Sequence, residues 1–228
     1  LLSVDEASEN WLVAQKKIKD KKKLCFLKTH NVNGAFKGNS FTSYEFTAGA
    51  IYIVRDPRNV LTSMMNHYSL NESDALKMIN SIYRNLKDEN DENNYASYSF
   101  ISSWSHNYNS WKLSKNINSL FIKYEDLEND KYKTFSKIVN FTNNIIKKER
   151  NIDENKFKLA IETTNFEVLQ KKEEYEGFDE AVYSSKEGKV KPFFNLGRKN
   201  NYKNLLKPET SKVIEGFFKK EMKELGYL

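Results

Sequence analysis

The chain contains 228 residues, a length that favours a single domain. Hydrophobic residues make up 39% and aromatic residues 14%, enough to bury a core, so the composition argues against disorder although 30% of residues are charged. The 37 basic and 31 acidic residues give a net charge of +6, which suits an anionic ligand. Because the basic residues are spread along the chain and do not cluster with aromatic residues, a nucleic-acid binder is disfavoured.

Cysteine usage and hydropathy predict the compartment. The single cysteine, Cys25, cannot form an internal disulfide and lies in an apolar run, where we expect it to be buried. No apolar run approaches the roughly 20 residues that a membrane-spanning helix needs. The first residues lack the basic leader and apolar stretch of a signal peptide. We therefore expect a cytoplasmic protein without a membrane span.

The order of predicted elements indicates the fold class. Short apolar runs rich in β-branched or aromatic residues predict buried strands over residues 24–28, 50–54 and 119–123. Segments with helical periodicity precede, separate and follow these runs, over residues 5–19, 57–68, 74–86, 100–113, 131–141, 153–163 and 208–225. Two polar stretches, residues 87–94 and 171–191, are predicted to be loops. This alternation predicts an α/β fold with a mostly parallel central sheet flanked by helices. We expect residues 1–228 to form one domain.

Polar residues follow the second predicted strand, at the edge where ligands bind to parallel sheets. Arg55 comes directly after this strand, a helix is predicted to begin at Pro57, and Ser63 lies eight residues after Arg55. A guanidinium, a hydroxyl and the positive end of a helix dipole at one corner would suit a phosphate. The same spacing also fits an ion pair between Arg55 and an aspartate, with Ser63 as an ordinary helical serine.

A second polar cluster, Lys28-Thr29-His30, follows the first predicted strand. A histidine can take a proton from a hydroxyl near neutral pH, and a lysine two residues away can neutralise charge on a departing phosphate. A single histidine after a strand also fits a structural role. His67 and His106 lie within helical patterns, and we interpret both as packing or capping residues.

Four stretches, in the same order, resemble the sulfotransferases that use 3′-phosphoadenosine-5′-phosphosulfate (PAPS). Lys28-Thr29-His30 is similar to the family segment that supplies a catalytic lysine and a histidine base. Arg55-Asp56-Pro57-Arg58-Asn59-Val60, with Ser63, is similar to the family's 3′-phosphate motif. Tyr124-Glu125-Asp126-Leu127 resembles the segment whose tyrosine borders the adenine, and residues 193–204 resemble the C-terminal phosphate loop, usually Arg-Lys-Gly-x-x-Gly-Asp-Trp-Lys-Asn.

The resemblance implies a fold, a reaction and a set of site residues. The fold would be the three-layer sulfotransferase fold, which is similar to that of P-loop kinases. The reaction would move a sulfuryl group in line from PAPS to a hydroxyl or amine of a small-molecule acceptor, leaving 3′-phosphoadenosine-5′-phosphate (PAP) and needing no metal. Lys28 would stabilise charge on the leaving phosphate, and His30 would act as the base. The residues implied to bind the nucleotide are Arg55, Ser63, Tyr124, Gly197, Arg198 and Lys199.

Two departures from the family pattern bear on these assignments. In the C-terminal loop, Asn195 and Leu196 stand where the family has Arg and Lys, so Arg198 and Lys199 follow the glycine instead of preceding it. The family's first phosphate loop, a strand followed by a Pro-Lys-Ser-Gly-Thr-like turn, has no counterpart in residues 1–23. We expect residues 1–228 to lack this strand and loop, which either lie upstream of residue 1 or are absent from the protein.

Two other functions fit the same sequence. A P-loop nucleotide kinase would share the α/β plan, although the chain has no Gly-Lys-Ser/Thr sequence and no evident magnesium-binding aspartate after a strand. A non-catalytic nucleotide-binding module would account for the missing first phosphate loop. Preference for PAP over ATP or ADP separates the sulfotransferase from the kinase, and turnover separates it from the binding module.

Overall fold

The structure is a computed structural model that describes residues 3–21, 24–86, 98–147, 152–184 and 187–228. The chain divides into two compact units, each assembled from two segments. The first unit comprises Leu1–Tyr52 and Met78–Phe121, and the second comprises Ile53–Lys77 and Ile122–Leu228. The expectation of a single domain over the whole chain stays a prediction.

Helices account for most of the regular structure in the described ranges. In chain order they are α1 Val4–Glu9, α2 Trp11–Lys19, α3 Pro57–His67, α4 Glu72–Asn80, α5 Trp104–Lys112, α6 Tyr124–Asn129, α7 Lys131–Ile146, α8 Glu154–Thr163, α9 Phe166–Glu176, α10 Tyr202–Leu205, α11 Pro208–Phe217 and α12 Lys219–Glu224. A short 3₁₀ turn, Gly197–Lys199, precedes α10.

Side-chain caps explain where several helices begin. Ser3 and Glu6 form a reciprocal capping box at the start of α1. The carboxylates of Asp56, Asp130 and Asp153 accept backbone N–H groups in the first turns of α3, α7 and α8 respectively. These caps satisfy N–H groups that have no partner within the helix, and they fix the residue at which each helix starts.

The strands form pairs. They are β1 Ala35–Phe36, β2 Asn39–Ser40, β3 Ala50–Val54, β4 Asn85–Leu86, β5 Ser99–Phe100, β6 Ser119–Lys123, β7 Val182–Ser184 and β8 Lys189–Lys191. Strands β3 and β6, both predicted from sequence, pair in parallel, and helices flank them. The pairs β1–β2, β4–β5 and β7–β8 are antiparallel. The predicted α/β class is confirmed.

Aromatic side chains pack together within the first unit. Tyr52 on β3 lies 6.0 Å from Tyr108 and 5.4 Å from Phe121, measured between ring centres, and its hydroxyl donates to the Asn107 side chain at 2.9 Å. Burial raises the pKa of Tyr52, and the neighbouring Tyr108 adds to the shift. Trp111 on α5 is buried and donates its indole N–H to the Asn31 carbonyl at 2.9 Å.

Apolar side chains from several helices form the core of the second unit. Its fully buried members include Leu61 on α3, Ile214 on α11, Met222 on α12, and Phe218 between α11 and α12. The predicted C-terminal helix over 208–225 is two helices, because α11 ends at Phe217 and α12 begins at Lys219. Both place apolar residues toward the same core, which is why their sequence periodicity looked continuous.

Several local predictions were wrong. Residues 24–28 form no strand, and Leu24, Phe26 and Leu27 are 52%, 70% and 64% exposed. Cys25 is exposed as well. In the described part of the chain no neighbouring strand pairs with this run, and an apolar run becomes a buried strand only where a sheet and a covering layer receive it.

Other boundaries differ from the predictions because polar stretches carry weak signals. The predicted helix over 74–86 is α4, which ends at Asn80, followed by β4. The predicted loop over 87–94 lies outside the described residues. The predicted loop over 171–191 contains the end of α9 and the β7–β8 hairpin, with residues 185–186 outside the described ranges. Among the helices described, none is long and apolar enough to cross a membrane.

Candidate functional site

Arg55 and Tyr124 lie together because their strands are neighbours. Each is the first residue after a strand, Arg55 after β3 and Tyr124 after β6. Parallel pairing places the carboxyl ends of both strands at the same edge. The Arg55 guanidinium carbon lies 4.1 Å from the centre of the Tyr124 ring, a cation–π contact. Both side chains are half-buried.

The Tyr124 hydroxyl connects this corner to Glu128, which lies one helical turn further along α6. Burial raises the pKa of Tyr124, the positive charge of Arg55 opposes that shift, and the Glu128 carboxylate, which accepts a hydrogen bond from the hydroxyl, adds to it. Tyr124 therefore stays a neutral hydrogen-bond donor at physiological pH. The resemblance gives this tyrosine a place beside the adenine, and that role stays a prediction.

Ser63 is tied to the C-terminal loop by Asn200. The Asn200 amide nitrogen donates to Ser63 Oγ at 2.8 Å and to the Asn59 carbonyl at 3.1 Å. Its amide oxygen accepts a hydrogen bond from Thr62 Oγ1. Two residues further on, the backbone N–H of Tyr202 donates to Asn59 Oδ1 at 2.9 Å. Helix α3 and the loop that resembles the family's C-terminal phosphate loop are thus joined beside the Ser63 hydroxyl.

Gly197 opens the 3₁₀ turn of this loop and can be replaced only with strain. Its φ angle is +51°, in the left-handed region. A Cβ atom at this position would lie 2.8 Å from the nearest atom of the Phe166 ring. Both the backbone conformation and the close ring require a residue without a side chain.

Arg198 and Lys199 follow Gly197 and are both exposed. The Arg198 Nε donates to Glu128 Oε2 at 3.1 Å, and one Nη2 hydrogen is donated to the Glu128 backbone carbonyl. A cavity of about 190 Å³ lies beside this ion pair. It is lined by Glu128, Lys131, Asn165, Phe166, Glu167 and Arg198. Arg198, to which the family resemblance gives a phosphate-binding role, is therefore held by a carboxylate in this structure.

Lys28 and His30 belong to the first unit and are exposed. The chain immediately after them is anchored firmly. The side chain of Asn31 accepts from the Phe100 backbone N–H at 2.7 Å, and the Val32 N–H donates to the Phe100 carbonyl at 2.8 Å. Asn107 donates its side-chain amide to the His30 carbonyl at 3.1 Å. These contacts fix the backbone of His30 and leave its ring at the surface of the unit.

The other two histidines have the structural contacts that were predicted for them. His106 Nδ1 is hydrogen-bonded to Ser102 Oγ at 2.7 Å. The ring of His67 packs edge-on against Tyr68 and Phe193, with centres 4.6 Å and 6.3 Å apart.

Sequence reasoning missed three residues that build the site. Asn59 and Asn200 lie inside the stretches that resemble the family. The hydrogen-bond partners of their side-chain amides cannot be identified from sequence spacing alone. Glu128 was missed because its role depends on Arg198, which is 70 residues away in sequence. The only local signal was its position four residues after Tyr124, which puts both on one face of α6. In the part of the chain that the structure describes, no group of three His, Cys, Asp or Glu residues could hold a metal ion.

Comparison with known protein families shows which family the chain belongs to. A model of the sulfotransferase domain matches residues 8–226, which is nearly the whole length. The chain therefore belongs to the sulfotransferase domain family. Among solved structures it is similar to mouse sulfotransferase SULT7A1 complexed with PAP, with 20% sequence identity and a TM-score of 0.45. That alignment covers 76% of this chain and 58% of the mouse chain, so this chain spans less than two thirds of it. The comparison with curated proteins found no match.

Proposed function

We propose that the chain binds PAPS and transfers its sulfuryl group to a hydroxyl or amine of a small-molecule acceptor. One observation carries the proposal. The side chain of Asn200 in the C-terminal loop is hydrogen-bonded to Ser63 on α3. The stacked pair of Arg55 and Tyr124 lies in the same unit. Membership of the sulfotransferase domain family makes a sulfated nucleotide the first donor to test.

The 3′-phosphate is assigned to Arg55 and Ser63. Arg55 directly follows a strand, and Ser63 lies on the helix that begins two residues after Arg55. A guanidinium supplies a planar fork of N–H donors to phosphate oxygens, and the positive end of α3 adds a favourable dipole. Stacking on Tyr124 restricts the Arg55 side chain, which lowers the entropy lost when the phosphate binds.

The C-terminal loop supplies the remaining phosphate contacts. Gly197 lets the backbone turn sharply, and Arg198 and Lys199 are exposed cations within the same turn. The hydrogen bonds of Asn200 and Tyr202 to α3 hold the end of this turn in place. Two cations after the glycine would replace the two that the family usually has before it.

Transfer is assigned to Lys28 and His30. The acceptor oxygen or nitrogen forms a bond to sulfur as the bond from sulfur to the phosphate oxygen breaks. His30 takes the proton that the acceptor loses, and Lys28 stabilises the negative charge that develops on the departing phosphate. The products are the sulfated acceptor and PAP. This scheme uses only side chains of the protein and needs no metal.

The same proposal covers the compartment and the partners. A cytoplasmic location is supported by the single, exposed Cys25, since a protein of an oxidising compartment commonly pairs its cysteines. A small-molecule acceptor is supported by family membership. We propose no nucleic-acid partner, because the basic residues are spread along the sequence and do not cluster with aromatic residues.

Calorimetry and an activity assay together test the function. We expect PAP to bind more tightly than ADP or ATP, and labelled PAPS to donate its sulfuryl group to a phenol, alcohol or amine in an acceptor panel. Binding of PAP without transfer to any acceptor would identify a non-catalytic nucleotide-binding module. Tighter binding of ATP than of PAP would instead favour a nucleotide kinase.

A further inference from the structure

The ion pair between Arg198 and Glu128 occupies part of the arginine's hydrogen-bonding capacity. A guanidinium has five N–H donors. The Nε hydrogen is donated to Glu128 Oε2, and one Nη2 hydrogen is donated to the Glu128 carbonyl. These two donors lie on the same edge of the fork, the edge that binds a phosphate with two parallel hydrogen bonds. Glu128 therefore fills the position that a phosphate would take on this edge.

Glu128 is better anchored than Arg198. The Glu128 side chain is 20% exposed, whereas that of Arg198 is 72% exposed. The Tyr124 hydroxyl is hydrogen-bonded to the Glu128 carboxylate and helps to hold it. Arg198 lies in a short 3₁₀ turn that begins at Gly197, so it is the partner that can move away.

We propose that Glu128 is an internal anion that competes with a phosphate of the nucleotide for Arg198. Binding of the nucleotide then requires Arg198 to leave Glu128, and the carboxylate lowers affinity by holding the arginine and by repelling the incoming charge. The proposal rests on the proposed function, because it takes a phosphate of the nucleotide as the competing anion.

The size of the effect follows from exposure. An ion pair with one partner mostly in water contributes little, because solvent and salt screen it. The contact can therefore exchange readily, and its removal changes affinity moderately. We expect Glu128→Gln to tighten binding of PAP by about threefold to fivefold.

A matched variant separates the contact from the general charge. Glu167 lines the same cavity, is exposed and also carries a negative charge, but its carboxylate is not the one that Arg198 contacts. Glu167→Gln removes an equal charge and leaves the ion pair intact. We expect this control to bind PAP within about twofold of the wild type, since an exposed charge without the contact is screened.

The experiment measures binding of PAP and of inorganic pyrophosphate to the wild type, Glu128→Gln, Glu167→Gln, Arg198→Ala and the Glu128→Gln/Arg198→Ala double variant. The arginine Nε–H resonance, assigned with Arg198→Lys, reports whether the ion pair is present and whether each anion releases it. We expect Glu128→Gln to tighten binding only where Arg198 is retained.

The two proposals fail in different ways. If PAP does not bind but Glu128→Gln tightens pyrophosphate binding through Arg198, the competition stands and the proposed function is wrong. If Glu128→Gln tightens neither anion, or weakens both, Glu128 does not compete and the inference is overturned, whatever the affinity for PAP. If Glu128→Gln gains no more affinity for the anions than Glu167→Gln does, the inference is overturned as well.

Discussion

The Arg58 guanidinium donates to both carboxylate oxygens of Asp56, at 2.6 Å from Nη2 and 3.0 Å from Nε, and each residue is only 5% exposed. The same guanidinium bonds Glu215 at 2.6 Å and the Tyr227 carbonyl at 2.9 Å. Asp56 is also the N-cap of α3. The second arginine of the Arg-Asp-Pro-Arg stretch therefore fixes the start of α3, and with it the position of Arg55.

Replacing Arg58 is expected to destabilise the protein strongly. Arg58→Ala leaves the buried carboxylate of Asp56 without its partner, which costs about 3–5 kcal/mol. Arg58→Lys recovers only part of this loss, because an ammonium cannot make the forked contacts. Urea unfolding measures both. Arg198→Ala, which removes an exposed arginine, is the control and should cost under about 1 kcal/mol. If Arg58→Ala costs no more stability than Arg198→Ala, the buried network contributes no net stability.

Arg55 and Ser63 are expected to recognise the 3′-phosphate. Arg55→Ala should weaken PAP binding by about 2–4 kcal/mol and Ser63→Ala by about 1 kcal/mol, the usual cost of losing a charged and a neutral hydrogen bond. Calorimetry with PAP and with its analogue lacking the 3′-phosphate checks the assignment. Both variants should bind the analogue as the wild type does. Equal weakening toward the two ligands would place the 3′-phosphate elsewhere.

The sequence contained enough information to predict β3, β6 and the helices α3 and α7, but not the short helix α6 that follows β6 directly. Apolar runs of five residues followed by charged residues mark strand ends, and Pro57 marks the first turn of α3. Given the parallel pairing, Arg55 and Tyr124 had to lie at one edge. The pairing partners of Arg198 and Asn200 could not be predicted, because they join segments about 70 and 140 residues apart by contacts that no local pattern encodes.

The failure at residues 24–28 has a different cause. Leu24, Cys25, Phe26 and Leu27 have the composition of a buried strand, yet all are exposed in this structure. Strand propensity measures how well side chains suit a sheet surface and does not supply the sheet itself. A local pattern therefore predicts burial only when the rest of the fold provides a partner.

His30 is expected to affect turnover and not nucleotide binding. His30→Ala should lower the rate of sulfuryl transfer by about 10²–10⁴-fold, which is typical of losing a general base. Affinity for PAP should change by less than about twofold, because in our proposal the base contacts the acceptor and not the nucleotide. Steady-state rates across pH, together with calorimetry, provide the check. His106→Ala is the control for loss of a histidine with a structural contact. Near-normal turnover of His30→Ala at every pH would remove His30 from the mechanism.

Tyr227 is expected to make stability fall at alkaline pH. Burial raises the pKa of its hydroxyl, and the Glu125 carboxylate, which accepts its hydrogen bond at 2.8 Å, raises it further. The unfolded chain loses this proton near about pH 10 while the folded chain keeps it, so stability decreases by up to about 1.4 kcal/mol per pH unit above that point. Below pH 10 the stabilisation is fully present.

Urea unfolding of the wild type and Tyr227→Phe at about pH 8 and about pH 11 measures this contribution. The stability advantage of the wild type should shrink at the higher pH, because phenylalanine does not ionise. Tyr183→Phe, which changes a tyrosine that is 63% exposed, is the control. The assignment to Tyr227 fails if its advantage over phenylalanine is the same at both pH values.

Gly197 is expected to be required for both stability and nucleotide binding. Its φ angle of +51° costs a residue with a side chain about 1–2 kcal/mol. Gly197→Ala also places a methyl group 2.8 Å from the Phe166 ring, so the ring or the 3₁₀ turn must move. Gly226→Ala isolates the backbone term, because Gly226 has a φ of +70° and no atom within 4 Å of its Cβ position. Gly197→Ala should therefore destabilise the protein by about 1 kcal/mol more than Gly226→Ala, and it alone should weaken PAP binding, through displacement of Arg198 and Lys199.

Adding Phe166→Leu to Gly197→Ala should recover the part of the lost stability that the ring contact causes. Equal destabilisation by the two alanine variants, with unchanged affinity for PAP, would show that the turn at Gly197 does not position the phosphate-binding loop.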